Sequence, residues 1–275
     1  MKKTLMALCV AMASGSAMAW TTGDFNGTVD FGGTIEKSEY KVKWQWQSGD
    51  NFNTFANSTK DLTDGGKKLV IPVTEDKPIL LGKTVEAISS SAAGVEAVPN
   101  IVFSGYDGQT VTLNKSPNAG DGTHYLDLPI KTAEADDNIG TLRVNVTAAG
   151  VAAKEGDSTV ALNSLDATQN SEVFFGGLIS DAVINSAATA AATTAKFGSL
   201  GATELQQQVQ AVNNKLTTLT EGSSKTTENL ADGKAAAAAY AMGMANGQTL
   251  EATFTQAITS ETNWKAPLNI TVSYQ

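Results

Sequence analysis

The sequence predicts a mainly β protein, folded as an antiparallel sandwich, and three patterns carry that reading. Short runs alternate apolar and polar residues, which places one face of each strand on a core. The runs recur at close spacing with turn residues between them, as in "IVFSGYDGQTVTL", the pattern of a sandwich. Beyond a leader-like start, both ends of the chain are themselves alternating strands, Phe25 to Ile35 and Leu268 to Tyr274.

The first nineteen residues have the features of a secretory leader: Lys2 and Lys3, an apolar core from Leu5 to Ala13, and Ala17-Met18-Ala19 as a cleavage site. That core is shorter than the roughly 20 residues of a membrane span. Cleavage after Ala19 puts Trp20 first. The single cysteine, Cys9, falls inside the leader, so the exported chain has no disulfide and no thiolate chemistry. It must stand on packing, for which its length suffices. The net charge of −9 becomes −11 once Lys2 and Lys3 are gone, which argues against nucleic acid or anionic membranes as partners.

In the opening segment "GDFNGTVDFGGTIE", Phe25, Gly27, Val29, Phe31, Gly33 and Ile35 form one register and polar residues or Gly32 the other. Tyr40 to Trp46 alternates next, with Tyr40, Val42, Trp44 and Trp46 on one face. "KLVIPVT" is a strand whose Pro72 marks an edge or bulge, and Lys77 to Val85 is another. Asp107-Gly108 turns a hairpin between apolar runs. Leu126, Leu128 and Ile130, then Leu142, Val144 and Val146, give two more half-buried strands, and "EVFFGGLI" closes this β-rich part.

The texture changes near Ile179. Residues 180 to 235 are rich in Ala, Thr, Ser and Gln and read as an inserted, partly helical segment. Leu205, Val209, Val212, Leu216 and Leu219 recur at helical spacing, which predicts about four turns with Thr203 and Gln206 as a capping box. The segment before it, from Asp181 to Gly198, predicts a shorter helix. In "KAAAAAYAMGMANGQTLEATF" five alanines favour helix. Tyr240, Met242 and Met244 alternate, however, and Asn246-Gly247 is a turn signal, so the segment reads as a hairpin. The chain closes with Leu268, Ile270, Val272 and Tyr274 on one face of a strand.

Nothing in the sequence composes a catalytic, cofactor or metal site. The one histidine, His124, starts a strand and reads as a turn or surface residue, and no nucleophile elbow, dinucleotide fingerprint or Walker loop is present. Glu134, Asp136 and Asp137 lack the EF-hand spacing and read as a solvated acidic turn. A sugar platform is conceivable at Phe174, Phe175, Phe197 and Tyr240, though each of these, like Trp44 and Trp46, reads first as core. The carbohydrate-binding residues stay unassigned.

The two end strands sharpen the reading. An immunoglobulin-like sandwich lacking its last strand leaves an apolar groove that a strand from another molecule can fill. "GTVDFGGTI" resembles the N-terminal extension of pilins assembled this way, and "NITVSYQ" their C-terminal strand. With "YKVKWQW", "KPILLGKT", "FFGGL", "FGSL", "YAMGMANGQTLEATF" and "APLNITVSY", the sequence resembles the FaeG/ClpG family of major fimbrial subunits and adhesins, from chaperone–usher fimbriae of enterotoxigenic Escherichia coli. The stretches 86–98, 115–122 and 150–172 match poorly and are expected to be surface loops. Many pilins carry a glycine fourteen residues from the C-terminus, where this chain has Thr262.

The resemblance implies an incomplete immunoglobulin-like sandwich of pilin type over 36–275, with an insertion at about 180–235. A donor strand over 20–35 would present Phe25, Gly27, Val29, Phe31, Gly33 and Ile35, and Leu268, Ile270, Val272 and Tyr274 would form the groove and chaperone-binding strand. It implies export through the periplasm to a fimbria on the cell surface. The partners would be copies of the chain, a periplasmic chaperone, an outer-membrane usher, minor subunits and host glycoconjugates. The rival reading is a monomeric secreted carbohydrate-binding module, whose first residues would pair within their own sheet.

Overall fold

The computed structural model describes residues 40–50, 52, 55–89, 96–117, 121–133 and 137–275. The leader, the expected donor strand from Phe25 to Ile35, and Glu134 and Asp136 lie outside them. The described chain forms β1 (Trp44–Ser48), β2 (Leu62–Thr63), β3 (Lys68–Pro72), β4 (Lys77–Thr84), β5 (Pro99–Ser104), β6 (Thr110–Val111), β7 (Asn114–Lys115), β8 (Thr123–Thr132), β9 (Asn138–Glu155) and β10 (Val160–Ser164). Helices α1 (Ala187–Phe197) and α2 (Ala202–Val212) follow, then β11 (Leu219–Glu221), β12 (Ala236–Met244), β13 (Thr249–Phe254), β14 (Trp264–Lys265) and β15 (Asn269–Tyr274).

The architecture is mainly β, an immunoglobulin-like sandwich made of a large curled sheet and a small one. The large sheet runs β1-β4-β12-β9-β13-β3-β2, and β8 and β10 sit on the other edge of β9. The small sheet is β15-β5-β6. The alternating strands behave as their pattern dictates: Leu126, Leu128 and Ile130 of β8 and Leu142, Val144 and Val146 of β9 all face the core. The predicted hairpin at Asp107-Gly108 joins β5 to β6, with Phe103 opposite Val111. Gly108 has a φ of 75°, the left-handed value that turn requires.

Strand β9 explains how the helices attach. Up to Asn145 its outward residues are polar, Thr141, Arg143 and Asn145, and from Ala148 the run "AAGVAA" is apolar on both faces. The outward Ala149, Val151 and Ala153 form a second core with Ala187, Ala190 and Ala191 of α1 and Leu205 and Val209 of α2. The helices thus cover one half of the outer face of the sheet. Strand β12 lies in that covered half and is buried at every position. Its alanines 237 and 239 meet the helices, while Ala236, Ala238, Tyr240, Met242 and Met244 face the sandwich interior. Small side chains on both faces let two layers close over the strand, and this tertiary fit overrides the helical propensity of polyalanine.

Several expectations need correction. Residues 236–254 are two strands but not a hairpin. Strand β12 pairs with Thr147–Lys154 and β13 with Gly140–Val144, so the two lie end to end along one edge of β9. The Asn246-Gly247 turn, where Gly247 has a φ of 90°, offsets the chain instead of reversing it, and the outer neighbour changes from β4 to β3. Helix α2 ends at Val212, which is 56% exposed. The chain then folds back, so that Leu216 is buried from a loop and Leu219 lies in β11. Its cap is not Thr203 with Gln206; the Glu204 carboxylate accepts from the Gly201 N–H at 3.1 Å. Tyr40–Lys43 is a 3-10 turn and Val42 is exposed, so the first strand begins only at Trp44.

"EVFFGGLI" is a loop instead of a strand, with Val173, Phe174, Gly177 and Leu178 buried. Phe174 takes a φ of 70° and is fully buried, while the Phe174 N–H donates to the Pro99 carbonyl and the Ile101 N–H to the Phe175 carbonyl. Gly176 (φ 81°) passes so close to β5 that a Cβ would lie 2.1 Å from the Ile101 carbonyl oxygen. Gly176→Ala is therefore expected to destabilise the fold by about 2–3 kcal/mol through backbone strain, measured by urea unfolding. The stretch 150–172 is not surface loop throughout either. Val151, Val160, Leu162 and Leu165 are buried, because β9 and β10 continue the sheet beneath the helices. Ile88, Ala97 and Val98 are likewise buried.

The return from the helices to β12 is fastened by charge. Lys154 Nζ lies 2.7 Å from a Glu228 carboxylate oxygen and 2.9 Å from one of Asp232. The buried Glu228 also accepts from the N–H groups of Asn229 and Leu230. Burial works to lower the Lys154 pKa, and the bonds to the two carboxylates outweigh it, so the ammonium is held above its ordinary value.

Candidate functional site: an apolar groove at two strand edges

Strand β15 pairs with β5 on one side, Asn269 opposite Ser104 through Tyr274 opposite Pro99. Among the described residues no strand pairs with its other edge. Among the described residues β1 pairs with β4 alone, so β15 and β1 each present an edge of their sheet. The side chains of β15 alternate as the sequence predicted. Asn269, Thr271 and Ser273 are exposed, while Ile270, Val272 and Tyr274, with Leu268 just before the strand, turn to the core. Those core-facing residues are only half-buried, although they pack on the main core. A strand inside a closed sandwich would have that face fully covered.

The uncovered part is a groove of about 830 Å³. Leu268 and Ile270 line one wall with Trp264, Ala266 and Pro267, and Phe52 and Phe55 stand beside it. Its floor is core: Ile79, Leu128, Leu142, Val144, Met244 and Leu250, each less than a tenth exposed. Thr262, at the position where many pilins have glycine, also lines it. The lining is apolar along both walls, with polar groups confined to Ser48, Asp50, Thr262, Asn263 and Lys265. Such a surface suits alternating apolar side chains presented by a strand, and the neighbouring edge of β15, unpaired among the described residues, suits backbone hydrogen bonds.

The groove closes towards the C-terminal end of β15. There the Trp46 Nε1–H donates to the Tyr274 hydroxyl at 2.8 Å, and the Trp44 Nε1–H donates to the Ala97 carbonyl at 2.9 Å. Burial pushes the Tyr274 hydroxyl above its ordinary pKa, against the effect of the Trp46 bond. Trp46 is held by its ring contacts with Trp44, Phe174 and Tyr240, at centroid distances of 6.2, 6.2 and 6.3 Å.

The structure thus brings together all four predicted residues of the C-terminal strand, two of them on the groove and one on its closed end. Phe25, Gly27, Val29, Phe31, Gly33 and Ile35 lie outside the described residues. Of the aromatic residues weighed as a sugar platform, Phe174, Phe197 and Tyr240 are buried and Phe175 is half-buried. Trp44 is core as expected. Sequence reasoning missed the groove residues Phe52, Phe55, Leu128, Met244 and Leu250. Their strands could be read, but which strands face one another across a sandwich has no local signal. His124 is corrected as well: it is fully buried on the core-facing register of β8, and neither ring nitrogen has a hydrogen-bond partner among the described residues.

Comparison with known proteins gives the groove its context. A family model described as "Fimbrial, major and minor subunit" matches residues 1–275. The K88 fimbrial proteins AB and AC of Escherichia coli are 46% and 44% identical to the chain, in each case over the whole of both chains. The F41 fimbrial protein of the same species is 29% identical, again over both full lengths. With a match along its entire length and relatives this similar, the chain belongs to the family of major and minor fimbrial subunits, as a structural protein of fimbriae on the cell surface.

Proposed function

We propose that this subunit polymerises by donating residues 20–35 to the groove of the next copy. The observation that carries the reading is the half-covered inward face of β15 beside an apolar groove and an edge that no described strand pairs with. In this scheme Phe25, Val29, Phe31 and Ile35 enter the groove. Gly27 and Gly33 fall where it is too shallow for a side chain. Burying four such apolar side chains contributes on the order of 6–12 kcal/mol, and backbone hydrogen bonds along β15 add to it. Donor and acceptor are different surfaces, so the contact runs head to tail and grows a filament instead of closing a ring.

Before assembly the groove needs a cover, and a periplasmic chaperone supplying its own strand to Leu268, Ile270, Val272 and Tyr274 fills that role. An outer-membrane usher then exchanges one strand for the other, and minor subunits join the same chain of contacts. The assembled fimbria binds host glycoconjugates through its exposed loops.

Size-exclusion chromatography and electron microscopy of surface extracts test the polymer, with the parent chain compared with a deletion of residues 20–35 and with Ile270→Asp. Detergent-resistant ladders in the parent and their loss in both variants are the expected results. Ladders that survive the deletion would show that the strand is not the donor. A parent that stays monomeric would favour the carbohydrate-binding module.

A further inference from the structure

We propose that Asn246-Gly247 is a locked deamidation site. The native turn withholds the nitrogen that would attack, and a subunit whose junction between β12 and β13 has opened is converted irreversibly. The chemistry does not depend on how subunits assemble.

The reacting groups are in place. Asn246 and Gly247 are both exposed, and no described residue bonds the Asn246 side-chain amide. A Cβ built on Gly247 would meet nothing within 4 Å, and glycine has none, so the peptide nitrogen that follows the asparagine is unshielded. In an open chain that nitrogen gives its proton to a base and attacks the Asn246 side-chain carbonyl carbon. A C–N bond forms, the bond to the side-chain nitrogen breaks, and ammonia leaves. Water then opens the cyclic imide at either carbonyl and returns a proton to the imide nitrogen. The net change is amide and water to acid and ammonia, with nothing oxidised or reduced. Opening at one carbonyl gives aspartate. Opening at the other gives isoaspartate, whose main chain runs through the side-chain methylene and is longer by that carbon.

The fold holds the nitrogen back. Every N–H from Ala245 to Gln248 has an acceptor. Ala245 donates to Gln248 Oε1 at 2.6 Å and Asn246 to Asp76 Oδ1 at 2.8 Å. Gly247 donates to the Val73 carbonyl at 2.8 Å and Gln248 to the Ala245 carbonyl at 3.0 Å. The Val73 N–H returns a bond to the Gln248 carbonyl at 2.9 Å. Val73 is buried, and Lys196 at the end of α1 lies 2.9 Å from the same Asp76 oxygen. The proton of the Gly247 nitrogen is thus engaged and its peptide plane fixed, so attack waits until the turn leaves Val73.

Loss of ammonia makes the change irreversible, and isoaspartate does not fit the turn. Gly243 pairs with Thr147 and Leu250 with Val144, so β9 fixes the distance that the chain between them must span. A main chain lengthened at position 246 has to bulge and gives up the bond to Val73. Met244 and Leu250, on either side of the turn, belong to the floor of the groove, so the lesion reaches it.

Mass spectrometry of peptides containing residue 246 tests this on the full chain, held at mildly alkaline pH in buffer and in urea. Aspartate and isoaspartate are expected to accumulate at 246 in urea, and more than about tenfold more slowly in buffer, where reaction waits on local opening. Asp76→Ala removes the acceptor of the Asn246 N–H and should raise the rate in buffer about fivefold, the ratio that one ordinary hydrogen bond gives. Melting curves check that this variant folds, and the comparison of buffer with urea stands without it. Equal rates in buffer and urea, or in the folded variant and the parent, overturn the lock. Absence of product at 246 in urea overturns the site.

Discussion

Lowering the pH from 7 to 4 is expected to destabilise the folded subunit by about 3 kcal/mol through His124 alone. The ring is fully buried on the same face of β8 as Leu126, Leu128 and Ile130, opposite Val146 of β9 and Lys115 of β7. Burial lowers its pKa from 6.5 to about 4, since an imidazolium there would be a buried charge with no hydrogen-bond partner among the described residues. Between those two values the unfolded chain binds a proton that the folded chain refuses, so stability falls as the pH falls, and the loss is complete below about 4. A shift of this size is worth about 3 kcal/mol at 1.36 per pH unit. The carboxylates of Asp76, Glu155 and Asp232, whose pKa values are lowered in the fold, add acid sensitivity of their own. Theirs is stability present above the unfolded carboxylate pKa and lost as the pH falls through the folded one. The difference between the parent and His124→Leu isolates the histidine. Urea unfolding at pH 7, 5.5 and 4 should show the variant losing about 3 kcal/mol less across that range. Parallel curves for the two proteins would mean that the imidazole is protonated in the fold as readily as in the unfolded chain.

Replacing Tyr240 by alanine is expected to have a still larger effect, about 3–5 kcal/mol. Tyr240 is fully buried in β12, its ring 5.2 Å from that of Phe174 and 6.3 Å from that of Trp46, and its hydroxyl donates to the Gly177 carbonyl at 2.9 Å. That residue therefore ties the central strand to the loop 173–178 and supports the indole at the closed end of the groove. Tyr240→Phe keeps the ring and leaves the Gly177 carbonyl without this donor, which should cost about 1–2 kcal/mol. Urea unfolding measures both. If the two variants lose equal stability, the hydroxyl and not the ring is the main contribution, and the aromatic cluster is less important than its geometry implies.

Much of this molecule was legible in one dimension, and the reason is the same wherever it was. A strand with one face on a core writes its burial as alternation, so β8, the first half of β9, β13 and β15 could be read residue by residue. Leu268, Ile270, Val272 and Tyr274 were assigned to the inward face from period two alone, and they are on it. The change from alternation to "AAGVAA" within β9 marks the point at which a second layer covers the sheet, but 150–172 read as surface loop and the structure corrected it. The features that misled reading were those whose cause lies far away in sequence. Val212, Leu216 and Leu219 fit a helical repeat, yet the helix ends at Val212 and Leu216 reaches the core from a returning loop. Asn246-Gly247 has hairpin chemistry, but the continuous edge of β9 holds β12 and β13 in line. His124 sits where a turn residue would be expected, and the sheet pairing of β7 and β9 encloses it.

The sequence by itself determined the fold class, the faces of the strands and the inward register of the C-terminal strand, because those depend on spacing along the chain. Only the tertiary structure decided that the inward face of β15 is half-covered, which floor and walls make the groove, and that Trp46 and Tyr274 close one end of it. Those properties depend on which strands meet across the two sheets, and side chains as distant as Trp46 and Tyr274 become neighbours only when every intervening strand has found its place.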